Sequence, residues 1–326
     1  MAKILITGSS GFLGSEVIRQ AVAQGHEVTA LKRATSNVGA LEGLRIRWAV
    51  GDVTDAASLV DALKGQEYCI HTAGDTSCLL KDRSRLERVN VEGARNIATA
   101  AKAAGVKRLV HTSSVAAVGY DPSGREATED QVWNWPGGLP YMETKRDGER
   151  LVLAMASPGF EVVALNPATI FGPGKMNASE EQLLHEVRTR KVPMLPSGGM
   201  TVCDVSDVAA AHLAALEKGV SGKRYILGGT SLSHGELMAA FARAFDVPLT
   251  EKKAPDWLLA VAGGAMLACE RIGIPTGTPS AMIRLARIKI YHSSEKAKSE
   301  LGYRPRPLDE LISRVVEHQR KSSASH

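Results

Sequence analysis

A tyrosine and a lysine stand four residues apart in Tyr141-Met142-Glu143-Thr144-Lys145, at the start of a stretch whose pattern predicts a helix. Residues at this spacing share a helix face, so the phenol and the ammonium address one ligand. A free tyrosine loses its proton at about pH 10, too high for a ready base at neutral pH. An adjacent lysine cation favours the phenolate and is expected to lower that value. Such a pair suits proton exchange with an alcohol or carbonyl oxygen. Ser113-Ser114 ends a predicted strand upstream, where a hydroxyl can hydrogen-bond the substrate oxygen during hydride transfer.

The start of the chain offers a place for the hydride carrier. Gly8, Gly11 and Gly14, with Phe12 and Leu13 between the last two, form GxxGxxG between a predicted strand and a predicted helix. The first glycine permits a tight turn, the second lets backbone approach a pyrophosphate, and the third lets strand and helix pack closely. The helix N-terminus then presents free N–H groups and a favourable dipole to the phosphates. This pattern predicts a dinucleotide site. NAD sites usually carry an acid after the second strand to hold the ribose hydroxyls, whereas this chain reads Lys32-Arg33. A carboxylate repels a 2′-phosphate and a guanidinium grips it. NADP(H) is therefore the preferred cofactor, with NAD(H) possible. Asp52 and Val53, after the third strand, are placed to meet the adenine amino group and ring. Thr72 and Ala73 follow the fourth strand, where small residues let a cofactor lie against the backbone. Asp55 reads as the N-cap of the next helix.

These residues need a frame. Short apolar or β-branched runs at 3–7, 27–31, 45–50, 68–72, 108–113 and 161–166 alternate with amphipathic stretches such as 86–105. That rhythm predicts an α/β fold with a doubly wound parallel sheet, which binds ligands beyond the carboxyl ends of its strands. The expected division is a dinucleotide-binding domain over 1–172, with 200–229 returning to its sheet. A smaller, mostly helical substrate lobe is expected over 173–199 and 230–326. Trp133, Trp135, Met142 and Trp257 are candidates to line its pocket, while His71, His111 and His212 read as structural. The apolar run Trp257–Cys269 is shorter than the about 20 residues that span a bilayer, so it predicts a buried or groove-lining helix and no stable membrane insertion. The tail KSSASH, 321–326, is expected to fray.

Bulk properties narrow the function. In 326 residues, 44% hydrophobic and 23% charged content describes an ordinary globular chain. The net charge of +5 comes from scattered Lys and Arg, which gives nucleic-acid binding little support. The four cysteines form no CxxC pair and no metal-ligand rhythm with histidine. No metal is expected, and free thiols with no signal-peptide pattern suggest a reducing cytoplasm.

The motifs TGSSGFLG, HTSSVAAVG, YMETK, NPATIFGPG and LGYRP, in order over residues 4 to 305, resemble the extended branch of the short-chain dehydrogenase/reductase superfamily. The resemblance implies a Rossmann fold and specific roles. Ser114 would polarise the carbonyl, and Tyr141 would be the acid/base. Lys145 would bind the nicotinamide ribose and tune Tyr141. Asn90 matches the branch's asparagine beneath the site, and Pro167 would lie beside the nicotinamide carboxamide. Dehydratases resemble Thr-Asp-Glu where this chain has Ser114-Val115-Ala116, so sugar dehydration is not expected. Nucleotide-sugar epimerases typically place an asparagine at the position of Thr169 and favour NAD; an epimerase stays open as the alternative. The segments LKRATSN, ALEGL and GDVTD with NPATIFGPG look most like the dihydroflavonol reductase-like group. That group implies an NADP(H)-dependent oxidoreductase acting on a carbonyl or alcohol of a mid-sized, partly apolar small molecule. The superfamily often forms homodimers. A rival of another class is a non-catalytic cofactor sensor; such proteins commonly lose the Tyr/Lys pair, which is present here.

Overall fold

The computed structural model describes residues 1–324. β1 (Lys3–Thr7) runs into α1 (Phe12–Ala23), followed by β2 (Glu27–Lys32), β3 (Arg47–Val50), α2 (Val60–Leu63) and β4 (Tyr68–His71). A helical run follows, made of α3 (Arg83–Leu86), a π-turn at Glu87–Glu92 and α4 (Gly93–Ala103). Then come β5 (Arg108–Thr112), α5 (Pro140–Leu153), β6 (Glu161–Pro167), β7 (Thr169–Phe171) and α6 (Ala178–Arg188). β8 (Gly199–Asp204), α7 (Val205–Lys218), β9 (Arg224–Leu227), β10 (Thr230–Ser233) and α8 (His234–Phe245) lead to the C-terminal part. That part holds α9 (Asp256–Arg271), α10 (Ser280–Leu285), β11 (Lys289–Ile290), α11 (Glu295–Leu301) and α12 (Leu308–Ala324).

The main sheet has seven parallel strands in the order β3-β2-β1-β4-β5-β6-β9. Strand order reverses between β1 and β4, the place where a doubly wound sheet opens a ligand crevice. Side chains alternate across a strand, and both faces are covered. Ile4 and Ile6 pack with Val17 and Ile18 of α1 and Val208 of α7. Leu5 faces the other way, toward Leu63 of α2 and Ile97 and Ala98 of α4. This two-sided burial explains why the strands read as continuous apolar runs.

Three readings need correction. The segment from 200 does not return directly to the main sheet: β8 pairs with β7, β10 and β11 in a second, four-stranded sheet, and only α7 and β9 rejoin the first. The apolar run 257–269 is helical, but it is not buried; Gly263 is the one buried residue of α9. Trp257 is 68% exposed, so it does not line a pocket. The tail does not fray at 321, because α12 continues through Ala324; its last two residues lie outside the described ones. α12 packs with α8, and its Leu311 and Val315 join Phe171, Leu184 and Phe241 in a core of their own. Among the described residues no helix is long and apolar enough to cross a membrane.

Candidate active site

The turn from β1 to α1 is tight for a steric reason. Gly8 has φ +73°, and a Cβ there would come within 2.5 Å of Thr72 Oγ1 and 2.8 Å of the Ala73 amide. A Cβ on Gly14 would collide with the Gly8 carbonyl. Only glycine lets β1, β4 and α1 converge so closely. Gly11 caps α1 with no side-chain hydrogen bond, and the first turn carries no acid. The N–H groups and positive dipole end of α1 are thus left for an anion. Phe12 reaches across to the loop at Gly174 and packs with the C-terminal core, while Leu13 packs against the main sheet's core.

The other end of the crevice is lined from β2 and β3. Arg33 is exposed, whereas the Lys32 ammonium lies 5.2 Å over the Trp48 ring. Asp52 accepts hydrogen bonds from the Thr54 amide and hydroxyl at 2.9 and 2.8 Å. Burial opposes its ionisation, but those bonds and the nearby Arg33 and Arg88 outweigh it and hold the carboxyl below its ordinary value. Val53 is buried, with its carbonyl held by Asn96 Nδ2 at 2.9 Å. Asp55 caps the next turn by accepting from the Ala57 amide, as expected.

Loop 72–77 closes the crevice floor. Thr72 Oγ1 donates to the Thr7 carbonyl at 2.7 Å, and Thr7 Oγ1 accepts from the Ala73 amide at 3.2 Å. Asn90, in the π-turn, accepts from the Asp75 amide at 2.8 Å and donates to the Asp75 carbonyl at 2.9 Å and to Thr144 Oγ1 at 3.3 Å. It clamps the loop to α5. A π-turn of this kind often marks a functional site.

Ser114, Tyr141 and Lys145 meet beyond β5. Pro140 opens α5, and the next residue, Tyr141, has its phenol near enough to the Ser114 hydroxyl for that group to favour the phenolate. Ser114 Oγ also accepts from the Ala116 amide at 3.2 Å. One turn along α5, Lys145 Nζ donates to the Thr112 carbonyl at 2.8 Å. Pro167 is buried at the end of β6, next to Asn166, whose Nδ2 donates to the Ser114 carbonyl at 2.9 Å. The buried Ser113 hydroxyl has no hydrogen-bond partner among the described residues.

The electrostatics differ from expectation at one point. Burial pushes the Tyr141 phenol up to about 12; the nearby Ser114 hydroxyl draws it partly back, while Cys78, Glu180 and Asp75 add to the rise. Burial lowers Lys145 to about 8 against the opposing pull of Glu149. The lysine's charge is directed at a backbone carbonyl, and removing water from the phenolate outweighs it. The phenol therefore keeps its proton at neutral pH.

Residues not anticipated complete the site. Glu149, one turn beyond Lys145, is 2% exposed and binds Asn166 Nδ2 at 2.5 Å and Arg224 Nη1 at 3.1 Å. Its spacing from Lys145 was the available signal. Arg284 of α10 donates through Nη2 to the Gly137 carbonyl at 3.0 Å, leaving a buried Nη1 with no partner among the described residues. Ala281 and Leu285 of the same helix join Trp133, Trp135, Leu139 and Met142 in an apolar cluster around Tyr141. His71 binds Thr7 Oγ1, and His212 binds Thr112 Oγ1 and the Val208 carbonyl, each at 2.8 Å. Burial lowers both histidines and His111, keeping them neutral. Among the described residues no group of three or more acidic, histidine or cysteine side chains is arranged to hold a metal ion.

Comparison with known proteins agrees with this architecture. The sequence pattern of the NAD dependent epimerase/dehydratase family matches residues 4–228. A protein of Synechocystis, provisionally named a dihydroflavonol 4-reductase, is 34% identical over 91% of this chain and 88% of its own. Sterol demethylase protein B of Methylococcus capsulatus is 35% identical over 92% of this chain and 93% of its own. The crystal structure of gox2253 superposes with a TM-score of 0.86 at 31% identity, covering 99% of both chains.

Proposed function

Since the chain belongs to the NAD dependent epimerase/dehydratase family of the extended short-chain dehydrogenase/reductase superfamily, we propose that it is an NADP(H)-dependent reductase acting on a carbonyl of a mid-sized, partly apolar molecule. The observation that carries this reading is the placement of Tyr141 and Lys145 one turn apart on α5, with the Lys145 ammonium on the Thr112 carbonyl at the carboxyl end of β5 and Ser114 just beyond that strand. The open N-terminus of α1 and the close convergence at Gly8 fit a dinucleotide. When bound, the cofactor supplies the hydride. Tyr141 gives its proton to the substrate oxygen, and Ser114 holds that oxygen in line. Lys145 holds the nicotinamide ribose, Asn90 keeps loop 72–77 in place, and Pro167 borders the carboxamide. The apolar cluster around Tyr141 supports a substrate with an apolar body, and the names of the two relatives refer to fused-ring compounds, a dihydroflavonol and a sterol. Arg284 Nη1 offers that substrate a free donor. The free cysteines suit a cytoplasmic setting.

Two measurements follow. Arg33→Ala is expected to abolish the preference for NADPH over NADH while NADH use persists. One charge-assisted hydrogen bond contributes about 1.5–3 kcal/mol, so the discrimination ratio should fall about 10- to 100-fold. Unchanged discrimination would remove Arg33 from the phosphate site. The second is a pH profile of kcat/KM for NADPH, which reports the free enzyme. Lys145 is charged below about 8 and neutral above it, so the parameter should decline as pH rises through that value. Glu149 raises the lysine's pKa, and Glu149→Gln should move the decline to lower pH.

A further inference from the structure

We infer that the exposed face of α9 docks on an anionic lipid bilayer, lying on its surface without spanning it. A helix turns once in 3.6 residues, which places Trp257, Val261, Gly264, Ala265, Ala268 and Ile272 in an arc of about 100°. Trp257, Val261 and Ile272 are 68%, 63% and 74% exposed, and every other residue of the arc is exposed as well. The opposite face packs on α10, with Gly263 set against the stem of Arg284. A continuous apolar face about 24 Å long is not left to water without a function.

Charge selects the occupant. Exposed Lys252 and Lys253, outnumbering the exposed Glu251 beside them, precede the helix, and exposed Arg271 borders the arc at its end. Asp256 is bonded to Ser197, and Glu270 is turned inward onto the Ser280 amide and hydroxyl at 2.8 and 2.7 Å. No acid lies within the arc. The whole chain carries +5, which favours an anionic surface. A second copy fits poorly: a two-fold contact between antiparallel α9 helices sets Lys252 and Lys253 of one against Arg271 of the other. Trp257, at the helix entry, has the amphipathic ring that settles at a lipid–water boundary.

The consequence reaches the site. α10 packs on α9 and contributes Ala281 and Leu285 to the cluster around Tyr141, so a docked molecule holds that cluster beside the bilayer, and an apolar substrate can enter from lipid. The entry route rests on the reductase reading; the docking rests on the surface alone.

The test is flotation of the purified full chain with vesicles of one part phosphatidylglycerol to two parts phosphatidylcholine, against phosphatidylcholine alone. The expected result is binding to the anionic vesicles that falls about tenfold or more in Val261→Asp, Ile272→Asp and the double variant Lys252→Glu/Lys253→Glu. These positions are exposed, and an unchanged NADPH titration in the same samples reports separately that fold and cofactor site are intact. Absence of vesicle binding overturns the proposal, as does binding that the aspartates leave unchanged. A dimer in sedimentation velocity that Val261→Asp dissociates overturns it too, and assigns the face to a second copy.

Discussion

Replacing Tyr141 with phenylalanine is expected to lower kcat for carbonyl reduction by about 10²- to 10⁴-fold, the usual worth of a positioned proton donor, and to leave NADPH affinity unchanged. The substitution removes one oxygen. The ring keeps its place among Met142, Leu139 and Leu285, and Ser114 keeps its bond to the Ala116 amide. What is lost is the proton, which the buried phenol retains at neutral pH because its pKa is pushed up to about 12. Steady-state kinetics on any carbonyl the enzyme reduces, with a parallel NADPH titration, checks the split. A variant with the wild-type rate would assign the proton to another group, while joint loss of rate and cofactor binding would point to a disturbed fold.

Glu149→Ala is expected to be the most damaging single change away from the reacting atoms. The carboxylate is 2% exposed and joins three elements: α5, β6 through Asn166, and β9 through Arg224. Breaking a fully buried ion pair by removing one partner costs about 3–5 kcal/mol. Arg224 is 26% exposed and retains the Glu129 carbonyl, so solvent screening reduces the expected loss to about 2–3 kcal/mol. The chemistry suffers as well, because Asn166 also holds the Ser114 carbonyl and Glu149 supports the charge of Lys145. Urea denaturation should show the loss of stability. Glu149→Gln, which keeps an acceptor for Asn166, should recover part of it. Equal loss in both variants would mean that the charge alone matters.

The large sheet was legible because buried parallel strands must be apolar on both sides, and 3–7 and 161–166 read that way directly. The glycine turn was legible because its spacing has few other uses. The destination of Gly199–Asp204 was not: a short strand carries no mark of which sheet it will join. The exposure of α9 was hidden for a related reason, since an apolar helix looks the same whether protein or another medium covers it. At the site, the shared helix face of Tyr141 and Lys145 was readable from spacing and the choice of Ser114 over Ser113 came from the resemblance, but the direction of the tyrosine's pKa was not readable. It depends on how much water the fold removes and on where the Lys145 ammonium is directed, toward the Thr112 carbonyl. The Glu149–Asn166–Arg224 network joins positions far apart in sequence, which local pattern cannot reveal.

The central claim is an NADP(H)-linked reductase, and a cofactor titration of the purified protein tests it most directly. The protein is first denatured in part to look for nucleotide carried through purification, and NADPH and NADH are then titrated separately. Freely exchanging NADPH, bound about tenfold or more tightly than NADH, is the expected result. Retained NAD that does not exchange would contradict it, and would favour a nucleotide-sugar epimerase instead.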